Sequence, residues 1–272
     1  MDRQIKPLFR AATRPYLKAG SPYLGAGFYY WQFARGKLRH DPVYFTLLRR
    51  GLLPARGRLL DVGCGQGVLL SLLAAAREQY RNGSWPGDWP APPLDLELHG
   101  LDLRQDRVRV ARCVLGGHAR IELRDAREAE FPQSTVIVML DLMLYLSEEQ
   151  QDRLLAKAAD ALDSAGMLLL READADAGPA FAVTRWSERI AAAARGDFGS
   201  LHYRGARRWV AALEALGLAV SSEPMSEGTP FANVLFVARK GVKPPDATAD
   251  KSRSNDFCQL LMINGPRHVP FQ

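Results

Sequence analysis

Short apolar segments and amphipathic segments alternate along most of the chain. The segments with the pattern of strands are residues 58–63, 94–103, 120–126, 134–146 and 166–173, followed by a closing pair at 218–224 and 233–240. The segments with the pattern of helices lie between them, at residues 68–80, 104–117, 148–166 and 205–217. This alternation predicts an α/β fold with a doubly wound, mostly parallel sheet, to which the closing pair adds an antiparallel C-terminal edge strand.

The pattern also divides the chain into three parts. Residues 1–50 are basic, aromatic and helical in pattern, and residues 51–240 carry the strands and helices of one domain. Residues 241–272 mix Pro, Asp, Ser and Lys around one short apolar stretch, which predicts a disordered tail. Within the domain, residues 81–93 are rich in Gly, Pro and Trp and therefore predict a loop.

Charge is concentrated at the start of the chain. Residues 1–60 contain twelve Lys and Arg but only two Asp, so their net charge is about +10. The net charge of the whole chain is +6, so the remaining residues are net negative. This segment suits an anionic substrate, an acidic carrier protein or the headgroups at the inner face of a membrane; the simpler alternative is a solvated basic face. Nucleic acid is disfavoured as a partner because no nucleic-acid-binding motif accompanies the charge.

Cysteine content and hydropathy indicate where the protein functions. The three cysteines are odd in number and lack the spacing of metal ligands, which favours a reducing cytoplasm and argues against a metal site. The N-terminal residues lack the apolar core of a signal peptide, and no apolar run is long enough to span a membrane. We therefore expect a cytoplasmic protein, with peripheral membrane contact left open.

The stretch DVGCGQG (61–67) joins the first predicted strand to the first long helix through three glycines. Glycines at this position let the backbone approach a ligand and adopt positive φ. The G-x-G-x-x-G fingerprint of dinucleotide sites fails because Val68 stands where the third glycine belongs, and the Gly-Lys-Ser/Thr of a phosphate-binding loop is missing.

This stretch resembles motif I of class I S-adenosylmethionine (SAM) dependent methyltransferases, a strand ending in acidic-x-Gly-x-Gly-x-Gly. The resemblance spans roughly residues 25–240 and implies a Rossmann-like, seven-stranded sheet. It also implies that SAM contacts the residues of the turn, which are Asp61, Gly63, Cys64, Gly65 and Gly67.

Further positions resemble the same family at the ends of the next three strands: Asp102 with Leu103, Asp125 with Ala126, and Asp141 with Leu142. The resemblance implies that Asp102 holds the ribose hydroxyls, that Asp125 meets the adenine amino group, and that Asp141 lies beside the methionine ammonium. Each carboxylate has a simpler alternative role, as a helix cap, a turn residue or a strand-end cap. Asp102 follows Asp61 at a longer distance than is usual in the family, which residues 81–93 explain as an insertion.

The N-terminal segment fits a helix that covers the cofactor in this fold class. Tyr30 and Arg35 are then candidates to reach the carboxylate of SAM or to roof its methionine end. Two alternatives remain open, a helix packed on the sheet with a basic outer face and an interfacial helix resting on a membrane.

Candidates for a general base are harder to identify. Related methyltransferases often carry a histidine where this chain has Leu144, which leaves Tyr145 beside it and His202 in a loop that often covers the acceptor. Tyr145 is equally explained as a packed aromatic, and His202 as a surface residue. Glu172, after the fifth predicted strand, faces the same end of the sheet, and its alternative role is that of an arginine partner or a helix cap.

The segment FYYWQFARGKLRHDPVYFTLLRRGLLP (28–54), together with motif I, is similar to a bacterial methyltransferase subgroup that accompanies aryl polyene and fatty-acid-like biosynthesis. That similarity implies methylation at oxygen of a small aryl or acyl acceptor, free or bound to a carrier. The alternatives are a SAM-binding protein without catalysis and a nicotinamide-dependent oxidoreductase.

Overall fold

The computed structural model of the protein describes residues 16–194 and 199–241. Within them, seven strands form one sheet in the order β3-β2-β1-β4-β5-β7-β6. The strands are β1 (Arg56–Val62), β2 (Asp95–Asp102), β3 (Arg120–Leu123), β4 (Ser134–Leu140), β5 (Leu162–Ala173), β6 (Ala219–Pro224) and β7 (Asn233–Arg239). The predicted fold class is confirmed.

Strands β1 to β5 pair in parallel, and β7 runs antiparallel to both of its neighbours, β5 and β6. The last strand therefore lies one position inside the edge, and β6 occupies the edge itself. Burial explains this order: Leu235 and Phe236 of β7 are fully buried, whereas Ser221 and Ser222 of β6 are exposed. A polar edge strand protects the sheet from pairing with other chains.

Helices surround the sheet, and residues 16–20 are helical ahead of seven further α-helices in the described residues. They are α1 (Phe28–His40), α2 (Pro42–Arg49), α3 (Val68–Arg81), α4 (Gln105–Leu115), α5 (Glu148–Ala161), α6 (Pro179–Ala194) and α7 (Ala206–Ala215). Short 3-10 helices span Ser21–Ala26, Gly116–His118 and Met143–Tyr145. No helix in this part of the chain is long and apolar enough to cross a bilayer.

Alternate residues of the central strands pack into two hydrophobic cores, one on each face. Leu59 and Val138 face a core shared with α1 to α4, while Leu60 and Ile137 face a core shared with α5 and α7. Because successive side chains of a strand point to opposite faces, one strand serves both layers. The result is a three-layer α/β/α arrangement whose carboxyl-end edge is left for a ligand.

Residues 16–49, here called the N-terminal cover, are helical as predicted and belong to the first of these cores. Tyr23 and Leu47 of the cover are buried there with Leu72 of α3. The predicted loop around residues 81–93 is confirmed, and its Trp89 is buried against Phe45 of the cover with ring centroids 5.2 Å apart. Of the predicted tail, all residues beyond Gly241 lie outside the described part.

Two boundaries differ clearly from the prediction. The strand expected over residues 134–146 ends at Leu140, and Met143–Tyr145 form a 3-10 helix. The helix expected to reach residue 166 starts at a capping box of Ser147 and Gln150 and ends at Ala161. Leu162 already pairs with Ser134, and the register shifts before Met167 pairs with Val136. The intervening residues form a bulge, which has the polar composition of a helix end and so hid the start of the strand.

Candidate active site

A cavity of about 750 Å³ opens where the parallel strands end. Its walls come from the turn after β1, the ends of β2 and β4, the segment after β3, the cover, and helix α6. The size is typical of a small-molecule site. Its position at the carboxyl ends of a doubly wound sheet is where such folds bind ligands.

The glycine turn lines this cavity through Gly63 and Gly65, whereas Gly67 lies outside the lining. Gly63, Gly65 and Gly67 have φ values of 76°, 56° and 78°, a region that other residues adopt only with strain. A Cβ on Gly63 would lie 3.0 Å from Leu142, and one on Gly67 would lie 2.8 Å from Leu115. A Cβ on Gly65 would meet no atom within 4 Å, so the bare backbone there faces open space.

Asp102 lies directly beside this turn and lines the cavity. Its two carboxylate oxygens accept hydrogen bonds from the backbone N–H of Gly65 (2.9 Å) and of Arg104 (2.8 Å). Each oxygen keeps further lone pairs for a ligand. Leu103 also lines the cavity and is 62% exposed, which leaves an apolar surface next to the carboxylate. Cys64 completes this side of the lining.

Asp125 and Ala126 line the cavity beyond β3. The Asp125 carboxylate accepts from the backbone N–H of Arg127 and from its guanidinium, at 2.9 Å and 3.0 Å. These bonds lower the pKa of Asp125, so the group stays ionised. A ligand amino group at this position shares the carboxylate with Arg127.

Asp61 is buried below the turn and does not line the cavity. Burial, and then the negative charge of Asp102, raise the pKa of Asp61 to about 8. The carboxyl group is therefore largely protonated at neutral pH. Any contact of Asp61 with a cofactor in the cavity would therefore be indirect, with the glycine turn between them.

Two cations and two carboxylates meet between the cover and the sheet; we call this group the charge cluster. Asp141 Oδ2 accepts from Lys37 Nζ (2.8 Å) and from the guanidinium of Arg171, and Asp41 accepts from the same two cations at 3.2 Å and 3.0 Å. Arg171 is 1% exposed in the middle of the sheet. Burial disfavours the charge of Lys37, but Asp141 and Asp41 outweigh it and raise the pKa of Lys37.

Asp141 adopts φ = 58°, and among described residues other than glycine it is the one with positive φ. Its N–H donates to the carbonyl of Arg171, which fixes the strand end beside the cluster. A non-glycine residue in this region costs free energy, and such residues concentrate at functional sites. Asp141 and Leu142 both line the cavity.

The sequence candidates on α1 do not reach the cavity. The Arg35 guanidinium stacks on Trp31, 5.4 Å from the ring centroid. The backbone carbonyl of Tyr30 accepts a hydrogen bond from Gln66. Lys37, two residues beyond Arg35 on α1, lines the cavity instead. The sequence feature that could have identified Lys37 is its i,i+4 spacing to Asp41. For Arg171 it is the position of a charge inside an apolar strand, since a buried charge requires a partner.

Gln66 joins the glycine turn to the cover and is 1% exposed. Its Nε2 donates to the carbonyl of Tyr30 (2.8 Å), and its own carbonyl accepts from the hydroxyl of Tyr23 (2.9 Å). Arg107 donates to Gln66 Oε1 at 2.9 Å and lies over the rings of Tyr29, Tyr30 and Phe33. Sequence reasoning missed Gln66 because its position in the motif accepts any residue.

The fold brings the segments of the two candidate catalytic residues together but places Tyr145, and not His202, in the cavity lining. Tyr145 lines the cavity and is 37% exposed, whereas His202 lies outside the lining. The backbone N–H of His202 donates to the carbonyl of Leu144 at 2.8 Å. Glu172 is buried and accepts from the backbone N–H groups of Leu142 and Met143 at 3.1 Å and 2.8 Å. Glu172 thus caps the short helix that carries Tyr145, which is one of the two alternative roles given for it above.

Helix α6 supplies residues that the sequence did not suggest. Glu188 and Thr184 line the cavity on the side of Tyr145. Tyr203 lies close by, its ring 5.1 Å from that of Phe181; burial and the negative charge of Glu188 raise its pKa to about 12. This end of the cavity combines aromatic, apolar and carboxylate groups.

Comparisons with known proteins agree with this geometry. A family model described as "Methyltransferase domain" matches residues 30–223. Among solved structures, the pyocyanin biosynthetic protein PhzM has a TM-score of 0.55 at 19% identity, covering 77% of this chain and 57% of that one. A SAM-dependent methyltransferase from Methanosarcina mazei has a TM-score of 0.52 at 15% identity, covering 71% and 97%.

A third structure is the O-methyltransferase family 2 protein from Planctomyces limnophilus in complex with apigenin. Its TM-score is 0.53 at 16% identity, with 88% of this chain and 62% of that chain covered. The chain thus spans little more than half of PhzM and less than two thirds of this protein. A sequence search of curated proteins gives no match.

Proposed function

Because the chain belongs to the methyltransferase domain family, we propose that it is a SAM-dependent methyltransferase acting on a small aryl or acyl-type acceptor, most readily at oxygen. One observation carries the proposal: the bare backbone of Gly65 faces open space in a cavity that the Asp102 carboxylate also lines. A Cβ there would occupy the space that a ligand needs next to the carboxylate. The residues present therefore fit the cofactor, which when bound supplies a methyl group already activated on a sulfonium.

Asp102 is proposed to bind the two ribose hydroxyls. Both of its oxygens are already oriented by backbone N–H groups, from Gly65 and Arg104. A carboxylate held in this way accepts from two further donors without moving. Asp125, Ala126 and Leu103 are proposed to contact the adenine end, where the lining offers one carboxylate and an apolar surface.

The charge cluster is proposed to bind the methionine end. An α-amino acid carries an ammonium and a carboxylate, and the cluster offers Asp141 for the first and Lys37 for the second. Lys37 takes the role that the sequence suggested for Arg35 or Tyr30. Arg171 holds both carboxylates in place from inside the sheet.

The acceptor is proposed to occupy the end of the cavity next to Tyr145, Glu188 and Phe231. Aromatic and apolar side chains there suit an aryl or acyl group, and the structural neighbour in complex with apigenin supports an aryl acceptor. Methyl transfer requires the acceptor atom to be aligned with the methyl group and water to be excluded, and the aromatic and apolar side chains at this end favour the exclusion of water. Tyr145, and not His202, is the residue that we propose to orient the acceptor.

An isotope experiment tests this proposal. Cells that express the chain receive methionine with a labelled methyl group, and their extracts are compared by mass spectrometry with those of cells that express Asp102→Ala. We expect a labelled product that depends on the chain and is lost in the variant. If SAM binds the purified protein but no labelled product depends on it, the protein is a SAM-binding protein without catalysis, and the proposal fails.

A further inference from the structure

Helix α6 exposes three large apolar side chains to solvent on one side. Val183, Trp186 and Ile190 are 43%, 68% and 48% exposed. Their spacing of three and four residues places them on one face of the helix, which we call the apolar stripe. A tryptophan exposed to this extent within an apolar group marks an interaction surface.

The stripe lies next to the cavity. On the same helix, Thr184, Ser187, Glu188 and Ala191 line the cavity wall. At 3.6 residues per turn, these positions form the face adjacent to the stripe. A surface that contacts the stripe is therefore close to the proposed acceptor end.

Basic side chains border the stripe on its other side. Arg185 and Arg189 are exposed, and within the described residues neither forms an ion pair. The one acidic residue of α6, Glu188, lies on the cavity face. The outer surface of α6 is therefore apolar and cationic.

We propose that α6 docks on an anionic lipid bilayer, with the apolar stripe in the interface and the two arginines at the headgroups. Tryptophan and aliphatic side chains flanked by arginine are the composition of interfacial helices. A second copy of the chain is a poorer occupant, because a two-fold contact would bring the arginines of both copies together. An acidic protein would pair with the arginines but would leave the stripe exposed. This docking goes beyond the proposed function and does not depend on it.

Vesicle co-sedimentation of the full chain tests the proposal. The vesicles consist of phosphatidylcholine alone or with phosphatidylglycerol. The variants are Trp186→Ala with Ile190→Ala, Arg185→Gln with Arg189→Gln, and Tyr80→Ala as a control at an exposed aromatic on α3. We expect binding to the anionic vesicles, weakened about tenfold or more by each double variant and unchanged by the control.

Three results would overturn the proposal. One is no binding of the wild type to anionic vesicles, including the case in which size-exclusion chromatography shows that the stripe mediates self-association. Another is binding that survives loss of the stripe and depends on the arginines alone, since that describes an electrostatic contact also open to an acidic protein. The third is binding that both double variants retain. SAM affinity, measured by calorimetry on the same samples, should not change, so a failure of the cofactor assignment is detected separately.

Discussion

At the scale of single residues, two buried carboxyl groups lie beneath the site with raised pKa values. Burial, followed by the charges of Asp102 and Asp141 respectively, raises the pKa of Asp61 and of Glu172 to about 8. In the unfolded chain such groups titrate near pH 4. The folded state therefore binds more protons than the unfolded state between about pH 4 and pH 8, and its stability falls as the pH rises through that range.

Asp61→Asn tests this directly. We expect wild-type stability to fall between pH 5 and pH 8, by up to about 1.4 kcal/mol per pH unit from this carboxyl alone. The variant should lose part of that dependence, because an amide does not titrate. Thermal unfolding followed by circular dichroism across this range measures the effect, with Asp160→Asn at an exposed position as the control. Parallel pH profiles for wild type and variant would contradict the assigned burial.

Asp102→Ala is the sharpest single substitution for the cofactor site. Hydrogen bonds to a charged group contribute about 1.5–3 kcal/mol each, so SAM affinity should fall about tenfold or more. Titration calorimetry gives the affinity, and Asp160→Ala should leave it unchanged. Full affinity in the Asp102 variant would refute the ribose assignment while leaving the fold intact.

At the scale of elements, Gln66 and Tyr23 fix the cover to the glycine turn. Tyr23→Phe removes the hydroxyl that donates to the carbonyl of Gln66 and leaves that buried acceptor without it. We expect a loss of about 1–3 kcal/mol in the free energy of unfolding. Urea denaturation measures this loss, and Tyr80→Phe, at an exposed position of α3, is the matched control. Equal stability of the two variants would show that the Tyr23 hydroxyl contributes nothing to holding the cover on the glycine turn.

The charge cluster is the second connection between the cover and the sheet. Arg171→Met would leave the partly buried Asp41 and Asp141 with Lys37 as their remaining cation. Removing one partner of a buried ion pair costs about 3–5 kcal/mol. The control is Arg153→Met, which breaks the exposed pair with Glu149 and should change stability by less than about 1 kcal/mol. A small effect at Arg171 in the same urea titrations would mean that the cluster is well hydrated.

At the scale of the whole molecule, local sequence patterns predicted more of the fold than of the site. Short apolar runs identified all seven strands, because the central strands are buried on both faces and are therefore apolar at successive positions. The same patterns could not place β6 outside β7, since strand order depends on pairing between distant segments. The bulge before Met167 was missed because its residues are polar and suit a helix end.

The site shows the same division. The glycine turn and the aspartates at the strand ends could be predicted, because each lies in a short motif with its own strand. Lys37 and Arg171 carry local signals of pairing but none that places them in the site, because that depends on contacts across 104 residues to Asp141 and across 130 residues to Asp41. Leu144 in the usual histidine position removed the motif that would have located a base. The residues of α6 carry no motif, and only the fold brings them to the cavity.

Titration calorimetry of the full chain with SAM, and separately with NAD, tests the central claim most directly. The cavity contains a carboxylate and bare glycine backbone suited to SAM but lacks the glycine pattern of a dinucleotide site. We therefore expect one SAM to bind per chain, with no heat of binding from NAD. Binding of NAD without binding of SAM would contradict the account.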